Sequence, residues 1–275
     1  MSKLLSANFM RIKKNRTFWS GVIFMFGLGI IMPVKRYVDM VQTRWVNNLD
    51  DGFYACAVLI AIVMAVFCSM FIGTEYSDGT IRNKIIVGQK RAAIYLANAV
   101  TSSLVSIIMC IAFVVPYLCL GIPLLGFFTA DIKMILLVGI AVLFLAAAFS
   151  SVFTLITMLC RSKAAAAVAC LLLAFGLIIT GAVLNEMLNA PKMVTGYTMS
   201  IDGTLVDMEE PNPKYLEGVK REIVQTIYDM LPGGQAVQCM TLTAVNLPRL
   251  PMYSTGIILL TVGIGAVLFR KKDLK

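Results

Sequence analysis

An all-α polytopic membrane protein is the fold class this sequence predicts, and three observations predict it. Six apolar stretches, each about long enough to cross a bilayer, punctuate the 275 residues. The chain is 59% hydrophobic, 14% charged and has a mean hydropathy of +0.84. A soluble domain carries roughly 25% charged residues, so this chain has too little charge to cover a water-facing surface. Finally, the formal net charge of +9 is spread unevenly between alternate loops. The same composition excludes a disordered chain, collagen, a coiled coil and a disulfide scaffold. The absence of histidine removes HExxH metalloproteases, Ser-His hydrolases and most general-base chemistry near neutral pH.

From the N-terminus, residues 3–16 read as an amphipathic helix lying on the membrane surface. Leu5, Phe9 and Ile12 share one face with Leu4 beside them, while Lys3, Ser6 and Lys14 fall opposite. The plainer alternative is a basic flank without fixed structure. No small-residue cleavage pattern marks a signal peptide. Predicted spans follow at about 17–34, 53–73, 94–120, 134–160, 164–184 and 252–269, none containing Asp, Glu, Lys or Arg between its apolar limits. The polar groups inside them are hydroxyls and one amide: Asn98, Thr101, Ser102, Ser103 and Ser106 in the third, Ser150, Ser151, Thr154 and Thr157 in the fourth. The seven cysteines contain no CxxC; six lie in or beside apolar runs, and only Cys239 reads as an exposed thiol.

Charge orients the spans. With the N-terminus in the cytoplasm, one side collects Lys3, Arg11, Lys13, Lys14 and Arg16, then Arg82, Lys84, Lys90 and Arg91, then Arg161 and Lys163, then Arg270, Lys271, Lys272 and Lys275. Opposed by Glu75, Asp78 and Asp273, that side carries +12, and the other carries −3. The positive-inside rule therefore predicts six spans with both termini cytoplasmic.

The outer segment 185–250 is the largest water-facing region and predicts a small α/β insertion in a single transmembrane domain over 1–275. Asp202-Gly203 suits a two-residue hairpin turn, placing Tyr197, Met199 and Ile201 on one face with Val206 and Met208. Asn212-Pro213 predicts a helix start, followed by an apolar stripe of Leu216, Val219, Ile223, Ile227 and Met230, with Glu217, Arg221, Gln225 and Asp229 opposite and a Glu217–Arg221 pair. Pro232-Gly233-Gly234 stops that helix, and 235–250 predicts a short helix capping or re-entering the outer leaflet.

The loop after the second span is the most informative segment. In it Asp78 predicts the cap of a short helix with Ile81 and Ile85 on one face, Gly88 a stop, and Lys90 and Arg91 a membrane anchor. A stiff, charge-bordered amphipathic helix suits docking onto another protein; an ordinary basic loop fits the same residues.

That loop, EYSDGTIRNKIIVG, resembles the E-[YF]-x-x-G-T-[IL]-[RK]-x-[KL] segment of type-2 ATP-binding-cassette permeases. The basic N-terminal helix before Phe18-Trp19 and the outer Leu231-Pro232-Gly233-Gly234-Gln235 are similar to that family too, although the 66-residue outer loop is larger than in short members. The resemblance implies the membrane subunit of a bacterial six-span exporter in the plasma membrane. It would pair with a second permease, identical or homologous, and with two copies of a separate ATPase that holds ATP and Mg. By position Glu75, Tyr76, Asp78, Gly79, Thr80, Ile81 and Arg82 match the family loop, which would be the ATPase-coupling helix. Ile81 and Ile85 would be its docking knobs, Arg82 and Lys84 its ATPase contacts, and Glu75 a gating or partner-pairing charge. Leu5, Phe9, Ile12 and Lys14 would form the interface helix. The chain has no G-x-x-x-x-G-K-[ST] phosphate loop, no catalytic residue and no metal site of its own, so energy would come from the partner.

Other classes fit less well. A secondary carrier needs ionisable groups near the midplane, and an intramembrane aspartyl enzyme needs Asp in a span; these spans have neither. A membrane sensor or scaffold whose outer insertion binds a ligand is the remaining alternative. The apolar, hydroxyl-bearing spans fit a hydrophobic or amphipathic substrate, such as a hydrophobic peptide, a drug or a lipid-like molecule; the family resemblance implies an antimicrobial peptide first and multidrug efflux next. Gly27, Gly29, Asn98 and Ser102 are candidate pathway or subunit contacts.

Overall fold

The computed structural model describes residues 1–160, 162–199 and 205–272. A surface helix α1 (Ser2–Lys13) leads into α2 (Arg16–Thr43), then α3 (Cys56–Ser77), the short α4 (Thr80–Ile86), α5 (Arg91–Leu125), α6 (Ile132–Leu159) and α7 (Lys163–Asn189). Strands β1 (Met193–Met199) and β2 (Leu205–Pro211), helices α8 (Gly218–Met230) and α9 (Pro232–Thr241), and the last span α10 (Arg249–Lys271) complete the chain. Six of these helices, α2, α3, α5, α6, α7 and α10, are long and apolar enough to cross a membrane. The predicted all-α polytopic class with an N-terminal surface helix and a small α/β insertion is the one observed.

α3 is the axis of the bundle. Ala57, Ile60, Ala61, Met64, Ala65, Cys68, Phe71 and Ile72 are all buried, because α5, α6 and α7 pack around it. α2 packs on α5, and α10 on α5 and α6, so these two and α7 lie at the periphery with broad apolar faces turned outward. Small residues set the closest approaches. Gly29 of α2 lies against the Phe113 carbonyl and Pro116 of α5, and Gly265 of α10 lies against the Tyr95 ring. The helices overrun their apolar limits. α5 has 35 residues, about 52 Å at 1.5 Å per residue, and α2 continues through Pro33 to Thr43.

The insertion between α7 and α10 departs from expectation at several points. The β1–β2 register pairs Tyr197 with Asp207 and Met199 with Leu205, one residue away from the register that sets Tyr197 opposite Met208. The Asp202-Gly203 turn and Ile201 lie outside the described residues, as do Arg161, Asp273 and Lys275. Asn212 does not start a helix. Its Oδ1 accepts from the Lys214 amide at 3.0 Å and its Nδ2 donates to the Pro191 carbonyl at 2.9 Å, closing the hairpin base, and α8 begins only at Gly218. Glu217 pairs with Lys192 at 3.4 Å, and Arg221 donates to the Leu188 carbonyl at 3.0 Å, so the expected Glu217–Arg221 pair is absent. The α8 stripe of Val219, Ile223, Ile227 and Met230 is exposed, while Tyr228 and Asp229 are buried.

Pro232-Gly233-Gly234 does end α8, but it also opens α9, with Pro232 at the first helical position. Residues 232–239 are all buried, and α9 is wedged into the end of the bundle opposite α1 and α4, against α7, α3 and α6. Two glycines make this possible. A Cβ at Gly233 would overlap the Leu177 carbonyl of α7, and one at Gly181 would overlap the Gly233 peptide. Cys239 therefore corrects the expectation of an exposed thiol. It is fully buried, and burial pushes the thiol up to about 12; Cys119 is an exposed cysteine instead.

Two outcomes follow. Gly233→Ala lowers stability by about 3 kcal/mol, the upper range for overpacking, because the obstructing atom is backbone and cannot rotate away; thermal unfolding of the purified chain measures it. Maleimide at pH 8 leaves Cys239 unlabelled in the folded chain and labels it after denaturation, as read by peptide mass spectrometry.

Candidate coupling interface

At the end of the bundle where α1, α4 and the α10 C-terminus meet, α3 runs one turn beyond its apolar limit and carries Glu75, 1% exposed. A carboxylate so placed must be paired and hydrogen-bonded. Arg11 of α1 and Lys84 of α4 both form ion pairs with Glu75 Oε1. Asn98 of α5 donates to Oε2 at 3.0 Å. Asn8 of α1 then donates to Asn98 Oδ1 at 2.9 Å and to Thr101 Oγ1 at 3.2 Å. Arg11 also donates to the Phe71 carbonyl at 3.0 Å and lies 3.7 Å over the Phe71 ring. One buried anion thus joins four helices.

The α3–α4 corner is backbone-built. Asp78 is the C-cap of α3 rather than the cap of α4, and it accepts from Ser77 Oγ at 3.2 Å. Gly79 at φ +67° is the α4 N-cap, a left-handed position where a side chain would be strained. Thr80 Oγ1 donates back to the Glu75 carbonyl at 3.1 Å. Gly88 stops α4 as expected, at φ +84°, with its amide on the Ile85 carbonyl at 2.9 Å and the Gln89 amide on the Lys84 carbonyl at 3.1 Å, a Schellman pair.

Helix α4 presents a different face from the one expected. Ile81 is 2% exposed and Ile85 is partly buried, both packed on the core rather than turned outward as docking knobs would be. Lys84 is turned to Glu75, not outward. Arg82, Ile86 and Val87 point away, the last two 76% and 78% exposed. Glu75 has its partners within the chain, which corrects its assignment as a partner-pairing charge. In α1 the buried face is Leu4, Asn8 and Ile12, spaced by four; Phe9 is exposed, Leu5 only half-buried and Lys14 exposed. Tyr76 donates to the Met158 carbonyl at 2.5 Å, and Lys272 Nζ lies 4.4 Å over its ring while donating to the Met158 and Cys160 carbonyls at 2.9 Å each.

Of the candidate pathway residues, Asn98 and Ser102 are buried inside the protomer and Gly29 is used against α5, so these three are packing residues. Gly27 alone of the four has open space beside it. The partners of Glu75 went unrecognised in the sequence, although Asn8, four residues from both Leu4 and Ile12, marks the buried face of α1.

These features define a class: a multi-pass helical membrane protein with an amphipathic surface helix and a short loop helix locked to its second span. The model for the family described as ABC-2 family transporter protein matches residues 4–183, about two-thirds of the chain, and the chain belongs to that family. It is accordingly a membrane permease of ATP-binding-cassette transport, not itself the catalytic subunit. Comparison with curated proteins gives no match.

The shared anion makes the two cations interdependent. Arg11→Met or Lys84→Met alone leaves Glu75 one cation, at about 1–2 kcal/mol each. Together they leave a buried carboxylate with the Asn98 amide as its donor, a loss of about 3–5 kcal/mol that exceeds the sum of the singles. Denaturant melts of the four forms give the cycle.

Proposed function

We propose that this chain is the membrane subunit of an ATP-driven exporter, and that α4 with the turn at 87–88 is the surface through which a separate ATPase moves it. The observation that carries the reading is the exposed pair Ile86 and Val87, held out on a helix whose other side is bound to α1, α3 and α5 through Glu75 and Ile81. A force applied to those two side chains has no slack to take up before it reaches the spans. Arg82, beside them, supplies a cation to the ATPase surface.

In this reading the α1/α4 side is cytoplasmic, in keeping with its +12 charge, and the membrane is the bacterial plasma membrane. Two ATPase subunits bind ATP and Mg, and a second permease, identical or homologous, packs on the outward faces of α2 and α7. The exposed apolar residues of those faces, among them Ile23, Phe24, Ile31, Phe175 and Ile179, favour a hydrophobic or amphipathic cargo: an antimicrobial peptide, a drug or a lipid-like molecule. A sensor role for the insertion is the second reading. It is favoured by a cavity of about 630 Å³ at the hairpin base, lined by Lys192, Tyr215, Glu217 and Lys220 beside the exposed α8 stripe. Deleting 195–216 with export intact and signalling lost would support that reading.

The test of coupling uses the chain co-purified with its ATPase. Ile86→Asp with Val87→Asp leaves the melting temperature unchanged and weakens ATPase binding about 30-fold, the equivalent of about 2 kcal/mol for a pair of buried contact residues. Ile81→Asp instead lowers the melting temperature. Full ATPase binding and stimulated turnover in the Ile86/Val87 variant would sink the assignment.

A further inference from the structure

We infer that the end of the bundle carries a binding site for the headgroup of an anionic phospholipid, between the N-terminus of α5 and the C-terminus of α10. A cavity of about 500 Å³ opens there, lined by Lys90, Arg91, Ala92 and Arg270. Among the described residues the ion pairs involve Arg11, Arg36, Lys84 and Lys192, so none neutralises the three cations of this cavity. Arg91 is fixed in place by donating to the Arg270 and Lys272 carbonyls, at 3.2 and 2.5 Å, which orders the guanidinium without cancelling its charge. Lys90 is the N-cap of α5 and makes no side-chain cap bond, so the first-turn amides of a 35-residue helix add positive potential on the same side.

What lies beneath the cations selects lipid over a free anion. Ala92, itself in the cavity lining, begins a stripe of Ala92, Leu96, Val100 and Leu104 at spacings of four, the last two exposed. Arg270 ends a corresponding line on α10 through Leu259, Gly263 and Ala266. Cations joined to apolar tracks on membrane-spanning helices match a phosphate-bearing headgroup with its chains attached, whereas inorganic phosphate would need the cations alone. Basic pockets between spans are an established mode of headgroup recognition. The location also has a consequence for α4. Lys90 lies two residues after the Gly88 stop, so a bound lipid pins the segment that returns from α4 to the end of α10.

The test is thermal melting of the full purified chain in mild detergent with added phosphatidylglycerol, phosphatidylcholine or inorganic phosphate. Phosphatidylglycerol raises the midpoint; the other two do not. Lys90→Gln with Arg270→Gln abolishes that shift while melting normally in detergent alone, and Lys90→Gln by itself reduces it if the double variant fails to fold. Lys13→Gln with Lys14→Gln, an equal loss of charge from α1 and its C-cap, leaves the shift intact. An equal shift with phosphatidylcholine, or with inorganic phosphate, overturns the proposal. So does a shift that survives at Lys90 and Arg270 or disappears equally in the α1 control, which would mean diffuse surface charge. None of these readouts depends on the ATPase or on transport.

Discussion

A carboxylate at the end of an apolar helix, cut off from water, has to find cations and amide donors, and much of this molecule's α1/α4 end is arranged around that need. Glu75 takes Arg11 from a helix sixty-odd residues earlier in the chain, Lys84 from the turn of helix that follows, and Asn98 from the next span. α4 is only seven residues long and would not persist alone in water. Its position rests on the ion pair of Lys84, the burial of Ile81, and the two left-handed glycines at its ends. α1 touches the bundle through one narrow face, and Asn8 and Arg11 on it both join the Glu75 network. Displacing either short helix therefore disturbs a charge the protein interior cannot leave unpaired, which ties them to α3 and α5.

The polar residues within the spans have a similarly internal use. Thr101 and Thr157 donate to carbonyls one turn back, Ser106, Ser150 and Ser151 to those three residues back, and Ser151 also meets Thr261 of α10 at 2.8 Å. These hydroxyls cross-link α5, α6 and α10 within one protomer. The outward faces of α2, α7 and α10 are nearly all apolar. Any surface shared with a second subunit or with cargo is thus apolar where it lies in the membrane, which is the chemical basis for the proposed cargo class.

The six spans were legible because length and apolar composition decide them, whatever they pack against. The positions of faces were less so. Leu5 and Phe9 obey the amphipathic pattern of α1 as well as Leu4 does, but the pattern cannot distinguish lipid from protein as the apolar neighbour. The buried side was marked instead by a polar residue, Asn8, whose partner lies ninety residues away. The same ambiguity misplaced the knobs of α4: Ile81, Ile85, Ile86 and Val87 are all apolar, and only the bundle end beneath them decides which pair is covered. In α8 the spacing names an apolar stripe but not which side is covered. Here the inward side holds Asp229, and the stripe faces out. The Pro-Gly-Gly stop was readable, but its second use, letting α9 lie flush on α7, depended on Gly181 fifty residues earlier.

Buried carboxylates organise both ends of the molecule, by different means. At the end opposite α1 and α4, Asp50 Oδ2 accepts the Thr129 and Ala130 amides, at 2.9 and 3.0 Å, together with the Thr129 hydroxyl, closing the loop before α3 onto the loop before α6. Asp229 accepts from Gln225 at 2.7 Å, Gln238 at 3.1 Å and Asn246 at 3.0 Å, holding α8, α9 and the approach to α10 together. Those donors are neutral, and the geometry they fix carries no spare positive charge. Glu75 is held by two full cations that reach the surface, with side chains 32% and 19% exposed for Arg11 and Lys84. Neutral donors suit that opposite end, where loops and a wedged helix need only to be kept in place. Partly exposed cations suit the end proposed to meet an ATPase, because a charged or polar partner surface can compete for Arg11 and Lys84 and so act on the one buried charge that α1, α3, α4 and α5 share.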